Sequence, residues 1–258
     1  LHVRRDGLVH LERGVLSMLA QLGPMPLSLG ELLRRIAPGA AEQMPRYPWY
    51  DGADLPLPRQ AETKDLRLRT NGLAEAMQRR RVELLAVRAE TILTGDYNRL
   101  IDATRNKSVA LFGVTSRLIA YVFETFAGGG LTRILVDRQG GRMRYLRFLQ
   151  PMFEGAAIKI VQESPDRSAY RIERQGKAAE IAFVTKGEDS SLPVALASMI
   201  SKCLRELFME LLNAWWVRRS PALKPTAGYY VDGKRFLREI DAAIDAEGID
   251  RAILVRSR

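Results

Sequence analysis

The chain has 258 residues and carries 40 Lys+Arg against 30 Asp+Glu, a surplus of +10. At 47% hydrophobic and 27% charged it fits neither a disordered chain nor an integral membrane protein, and no run approaches the roughly 18 apolar residues that span a bilayer. One cysteine, Cys203, excludes an internal disulfide and fits a reducing cytoplasm, and two histidines, both near the start, argue against a zinc site or a Ser-His-Asp triad.

In chain order, Gly7 to Leu22 carries apolar residues at Leu8, Leu11, Val15, Leu16, Leu19 and Leu22, which predicts a helix. A second short helix is predicted at Ser28 to Ile36. From Pro38 to Glu62 the prolines, Gly39, Gly52 and the cluster Tyr47, Trp49, Tyr50 predict a long irregular insertion, a kind of segment that is usually functional or mobile. Helix resumes at Leu73 to Arg80, and Val82 to Leu93, rich in Val, Leu and Ile, reads as a strand. Asp96 to Thr104 and Val109 to Phe126 read as helices. Gly128, Gly129 and Gly130 precede a short strand, Ile134 to Val136, that ends in Asp137. A helix around Met143 to Phe153 leads to three strand-like runs, Ala157 to Gln162, Ala169 to Glu173 and Ala179 to Thr185. A long helix follows from Pro193 to Trp216, with its proline near the start where a missing N–H costs little. Asp232 to Ala246 is the last clear helix, and Ile253 to Val255 reads as a tail strand. The alternation predicts an α/β class with a mixed sheet.

Two acidic positions share a layout. Asp137 ends Ile-Leu-Val, and Glu188 follows Ala-Phe-Val-Thr-Lys-Gly. Ligands collect at the carboxyl ends of strands in open α/β sheets, and carboxylates converging there hold Mg²⁺ with waters and phosphate oxygens. Two such ions would activate a water and stabilise the leaving oxygen of a phosphodiester. The plainer alternative makes Asp137 a turn residue and Glu188 a solvated one. Asp137 to Arg142 is a Gly-containing basic loop whose N–H groups, Arg138 and Arg142 suit phosphate, or which is simply a tight turn. Ser198 and Lys202 lie at i,i+4 behind the small residues Ala195 and Ala197, a phosphate grip or ordinary packing. Tyr229 follows Pro225-Thr226-Ala227-Gly228 and suits stacking on a nucleotide. Trp215, Trp216 and Cys203 read as packing. The basic surplus points to nucleic acid, or to solubility alone.

Residues 130–258 resemble the C-terminal half of the type 2 ribonuclease H family in the order and spacing of their motifs. Ile-Leu-Val-Asp137 resembles the strand ending in the family's third catalytic aspartate, and Lys186-Gly187-Glu188 the Lys-Gly-Asp that supplies the fourth. Leu196 to Lys202 resembles the Ala-Ala-Ser helix ending in Lys, and Arg205 and Met209 continue it. Gly228-Tyr229 resembles the Gly-Tyr whose tyrosine reads the sugar at a ribonucleotide–DNA junction. Asn98 to Ala120 is similar in position to the helix after the family's third strand.

The resemblance implies a single ribonuclease H-like mixed sheet flanked by helices over 1–258, with an insertion at about 38–62 and an extra hairpin at about 157–173. It implies Mg²⁺ or Mn²⁺ held by Asp137 and Glu188, with Asp189 or Glu163 as substitute ligands. Substrate would be held by Arg138, Arg142, Lys186, Ser198, Lys202 and Tyr229. The substrate would be an RNA–DNA hybrid, or duplex DNA containing ribonucleotides. The family's first strand, with Asp-Glu-Ala-Gly-Arg-Gly, has no counterpart, and the opening at Leu1 reads as an N-terminal truncation. The expected consequences are a fragment inactive alone and a sheet edge prone to pair with another chain. The rival readings are a non-catalytic nucleic-acid-binding relative and a structural protein whose basic face binds other proteins.

Overall fold

In a computed structural model, residues 7–257 are described. The helices are α1 (Gly7–Leu19), α2 (Leu29–Ile36), α3 (Pro38–Gln43), α4 (Thr63–Arg80), α5 (Thr94–Thr104) and α6 (Lys107–Phe126), then, after strand β1 (Leu131–Asp137), α7 (Leu146–Met152). Strands β2 (Ala157–Glu163), β3 (Arg167–Arg174) and β4 (Lys177–Val184) follow, and α8 (Leu192–Arg219), α9 (Tyr230–Glu239), α10 (Asp241–Ala246) and α11 (Arg251–Leu254) complete the chain. It divides into two compact units, one of Leu1–Arg99 with Met199–Arg258 and one of Leu100–Ser198. The α/β class with a mixed sheet is therefore observed.

The second unit holds the sheet, in the order β1-β4-β3-β2. β1 runs parallel to β4, while β4, β3 and β2 form an antiparallel meander. The hairpin expected at 157–173 is thus the far edge of this sheet. Alternation sets its faces. Ile134 on β1, Tyr170 and Ile172 on β3, and Ala179, Ile181 and Phe183 on β4 share a buried cluster with Phe112, Ile119 and Phe123 of α6 and Leu149 of α7. Burying each such large side chain contributes roughly 1.5–3 kcal/mol, so this layer decides which face the strands turn inward. Asn106 caps α6 by accepting the N–H groups of Ser108 and Val109. By length and composition α6 is long and apolar enough to cross a membrane, contrary to the sequence expectation, but its apolar face carries this sheet-side cluster.

The first unit is helical. Ser28 caps α2, and Leu29, Leu32, Leu33 and Ile36 are fully buried on its inner stripe. The segment expected as an irregular insertion is part of this core. It forms α3 and a 3₁₀ turn, and Tyr47, Trp49 and Tyr50 are buried, with Trp49 edge-on to Trp215 and Tyr50 edge-on to Phe208. Its prolines shape turns around large apolar anchors, and burial of those rings outweighs the irregular backbone.

Three further expectations are corrected. Val82 to Leu93 is not a strand: Val82 and Leu85 are exposed, and the stretch runs as a connector touching Ile36 through the Ala89 N–H. The tail at Ile253 belongs to α11, capped by Asp250, because no neighbouring strand is there to pair with it among the described residues. The helix expected from Asp232 breaks at Ile240 into α9 and α10.

Candidate functional site

In the second unit, the parallel pairing of β1 and β4 ends both strands on one rim, with Asp137 level with Val184. Two residues later Lys186 adopts a left-handed backbone (φ +52°) and the chain tightens into a 3₁₀ turn, Gly187–Asp189. Gly187 donates its N–H to Asp137 Oδ1 over 3.1 Å. A side chain there has no room, since a Cβ would stand 2.9 Å from Val184 Cγ2 and 3.1 Å from Val194 Cγ1. The turn therefore sits tightly against β1. Asp137, Glu188 and Asp189 all lie exposed at that rim, and Asp137 points to the face opposite α6.

Glu163 does not join them. It ends β2, three strands from β1, which at ordinary spacing is about 14 Å. The Tyr170 hydroxyl donates to its Oε1 over 2.5 Å, and burial with this carboxylate pushes the phenol up to about 12. Among the described residues, no group of three His, Cys, Asp or Glu is arranged to hold a metal ion.

The basic loop after Asp137 is tied to its own unit. Arg138 donates to the carbonyls of Ser164 and Pro165 in the β2–β3 turn, closing the rim from that side. Arg142 lies 4.0 Å over the Phe148 ring and near Phe112 and Tyr145, and donates to Ser108 Oγ. Burial there lowers its pKa from the usual guanidinium value. Both arginines thus hold the loop in shape. Lys186 is exposed at the rim, and Ser198, half-buried, lies near the start of α8.

In the first unit, α8 carries Lys202, exposed, then Arg205, Met209 and Asn213 at successive turns. These last three hold the loop that presents Tyr229. The Asn213 side-chain amide donates to the Thr226 carbonyl over 2.9 Å and accepts its N–H over 2.8 Å. Asp232, in the first turn of α9, accepts the Thr226 hydroxyl at 2.6 Å and the Ala227 N–H at 2.7 Å, while Arg235 bonds the carbonyls of Lys224 and Pro225. Gly228 takes φ +72°, and a Cβ would crowd Met209 at 3.3 Å. Arg205 donates to the Ala227 carbonyl and lies 4.9 Å over the Tyr229 ring, which is 42% exposed. The result is a fixed loop with an accessible aromatic backed by a cation. Sequence reasoning missed Asn213, Asp232 and Arg235, although an acid in the first turn of a helix just after a glycine loop is a readable capping signal.

The hydroxyl, amide and carboxylate contacts around Thr226 and the parallel-strand rim are each complete within one unit. In comparisons with known proteins, no family model, no curated protein and no solved structure matches this chain.

Proposed function

We propose that this chain belongs to a ribonuclease H-like endonuclease that hydrolyses RNA in RNA–DNA hybrids, or cuts at ribonucleotides in duplex DNA. The observation that carries this reading is the hydrogen bond from Gly187 to Asp137. It joins the two sequence motifs that resemble the family's carboxylate strands into one rim, 50 residues apart in the chain. Asp137 and Glu188, with Asp189 beside it, are hard oxygen donors on an exposed edge, which suits Mg²⁺ or Mn²⁺ held by one or two carboxylates and waters. When bound, such an ion would supply Lewis-acid activation of a phosphodiester. Asp137 would offer it an oxygen while the Gly187 N–H fixes the carboxylate's orientation. Within the other unit, taken by itself, Tyr229, held by Asn213 and Asp232, suits stacking on a nucleotide sugar, and the exposed Lys202 suits phosphate.

These donors fall short of the set that fixes two ions in line with a water. The alternative, a non-catalytic nucleic-acid-binding relative, is favoured by one observation: the loop presenting Tyr229 is fixed by side chains of its own unit, Asn213, Asp232 and Arg205.

The test is Mg²⁺ binding by calorimetry in wild type and Asp137→Asn, together with cleavage of an RNA–DNA hybrid. The expected result is a Mg²⁺ affinity at least about tenfold weaker in the variant and no cleavage by either chain, with cleavage appearing when an Asp-Glu strand is supplied upstream. Equal Mg²⁺ affinity in the two proteins removes Asp137 as a ligand and leaves the binder.

A further inference from the structure

The two edges of the sheet differ in how they meet solvent. The β2 edge is protected in the usual ways: its register slips between Ile160 and Gln162, and Lys159 interrupts its apolar run. The β1 edge also carries a charge in its apolar run, Arg133, but it has no bulge. Its register with β4 is unbroken over all seven residues, and Leu131 and Leu135 are 45% and 39% exposed. An open, regular, apolar edge strand is a template for another strand.

The backbone parity is fixed by one bond. Arg138 donates its N–H to Val184 O, so the even-numbered residues of β1 turn their N–H and C=O groups to β4. Arg133, Leu135 and Asp137 therefore turn theirs outward. The same residues carry the side chains of the face away from α6. Ile134 and Val136 point to the other face, into the buried cluster or against it.

This pattern is complementary to itself. If a second β1 runs antiparallel with Leu135 opposite Leu135, then Arg133 falls opposite Asp137 and Asp137 opposite Arg133. The outward-facing residues pair with outward-facing residues, giving about six backbone hydrogen bonds. On one face an apolar Leu135 pair is flanked on both sides by opposite charges. On the other, Ile134 meets Val136 of the second copy and extends the apolar layer. A shift of two residues in either direction breaks the charge pairing: centred on Arg133, the two arginines oppose each other, and centred on Asp137, the two carboxylates do. Arg133 has no ion-pair partner among the described residues, and Asp137 is bonded through Oδ1 to the Gly187 N–H. A two-fold contact requires this kind of self-complementary patch.

We propose that the 258-residue chain forms a two-fold dimer through β1, antiparallel and centred on Leu135, joining the two four-stranded sheets into one. The proposal stands on the edge geometry and not on the nuclease reading. The contact is confined to one strand from each copy, the size class of transient interfaces.

The experiment is sedimentation of the metal-free chain, without nucleic acid, from about 1 to about 100 µM, the span expected for such an interface. Wild type should pass from the 29.0 kDa monomer towards twice that mass. Leu135→Lys and Arg133→Asp should each weaken association at least about tenfold, the latter by setting like charges opposite each other. The exchange Arg133→Asp with Asp137→Arg should restore it. All these side chains are exposed, and circular dichroism of each variant at the same concentrations verifies the fold. A monomer throughout the range, association unaffected by both single variants, or a charge exchange that fails to rescue would each overturn the proposal. Leu135→Lys and Arg133→Asp leave Asp137, Glu188 and Asp189 in place, and sedimentation is run without metal, so a failure here leaves the Mg²⁺ test standing and the two readings fail separately.

Discussion

Glu12 on α1 has no exposed surface, and its carboxylate accepts the backbone N–H groups of Arg59, Gln60 and Ala61. A side chain of the first helix thereby satisfies a loop that lacks secondary structure of its own. Truncation would leave three donors short of an acceptor, two of them measured at 2.9 and 2.8 Å. Glu12→Ala should therefore cost about 3 kcal/mol or more in urea unfolding, well beyond a surface substitution. A loss under about 1 kcal/mol would mean that water reaches those N–H groups. Asp232 gives a pH-dependent counterpart. Hydrogen bonds from Thr226 and the Arg235 guanidinium lower its carboxyl from 3.8 to about 2. A depressed folded-state pKa stabilises above the unfolded value and is lost as pH falls through the folded one. The stability difference between wild type and Asp232→Asn should accordingly be full near neutral pH, shrink below about pH 4 and be lost as pH falls through about 2. A difference independent of pH would show that packing, and not charge, sets it.

At the scale of elements, legibility followed the strength of local periodicity. α1, α2, α6 and the long α8 were read within a few residues of their observed ends because each carries an apolar stripe at helical spacing. The three strands β2, β3 and β4 are legible as short apolar runs between turns, whereas the pairing of β3 with β4 into one meander shows only in the structure. Val82 to Leu93 was not, because a short apolar run has no period that separates a strand from a connector lying on a surface. Pro38 to Glu62 failed differently: proline and glycine marked the turns correctly, but only the tertiary partners Phe208 and Trp215 make its aromatics core. Of the candidate site, the carboxylates at the strand ends were readable, whereas the internal duties of Arg138 and Arg142 depend on Ser164 and Phe148, distant in sequence or hidden by rotamer. The β4–α8 turn offers a direct check. Gly187→Ala places a methyl 2.9 Å from Val184 Cγ2 and should cost about 1–3 kcal/mol in thermal or denaturant unfolding. It should also move the Gly187 N–H away from Asp137, read as a shift of that amide resonance. An unshifted amide with unchanged stability would show that the turn is slacker than its geometry.

For the whole molecule, the surplus of +10 is a statement about partners only if the cations are available to them. Counting sequence positions, Arg138, Arg142, Lys186, Lys202 and Arg205 would all meet phosphate. In the structure Arg138 is bound to the β2–β3 turn, Arg142 is laid over Phe148, and Arg205 is bonded to the Ala227 carbonyl and paired with Glu206, so of these five Lys186 and Lys202 are the cations left without a bond among the described residues. Each neutralised phosphate contributes about −0.9 to the slope of log affinity against log salt. Two contacts give a slope of about −1.8, a loss of about 12-fold when salt rises fourfold. Five would give about −4.5 and a loss of about 500-fold. Fluorescence anisotropy with a labelled RNA–DNA hybrid, from about 50 to about 200 mM salt, separates the two. The shallower slope is expected, with Lys202→Ala reducing it by about one unit and Arg138→Ala leaving it unchanged. The steeper slope, or one that falls in Arg138→Ala, would mean that this arginine leaves the Ser164 and Pro165 carbonyls for phosphate. The charge of the chain would then be read correctly from its sequence, and its present internal bonds would be the resting arrangement of a site that opens on binding.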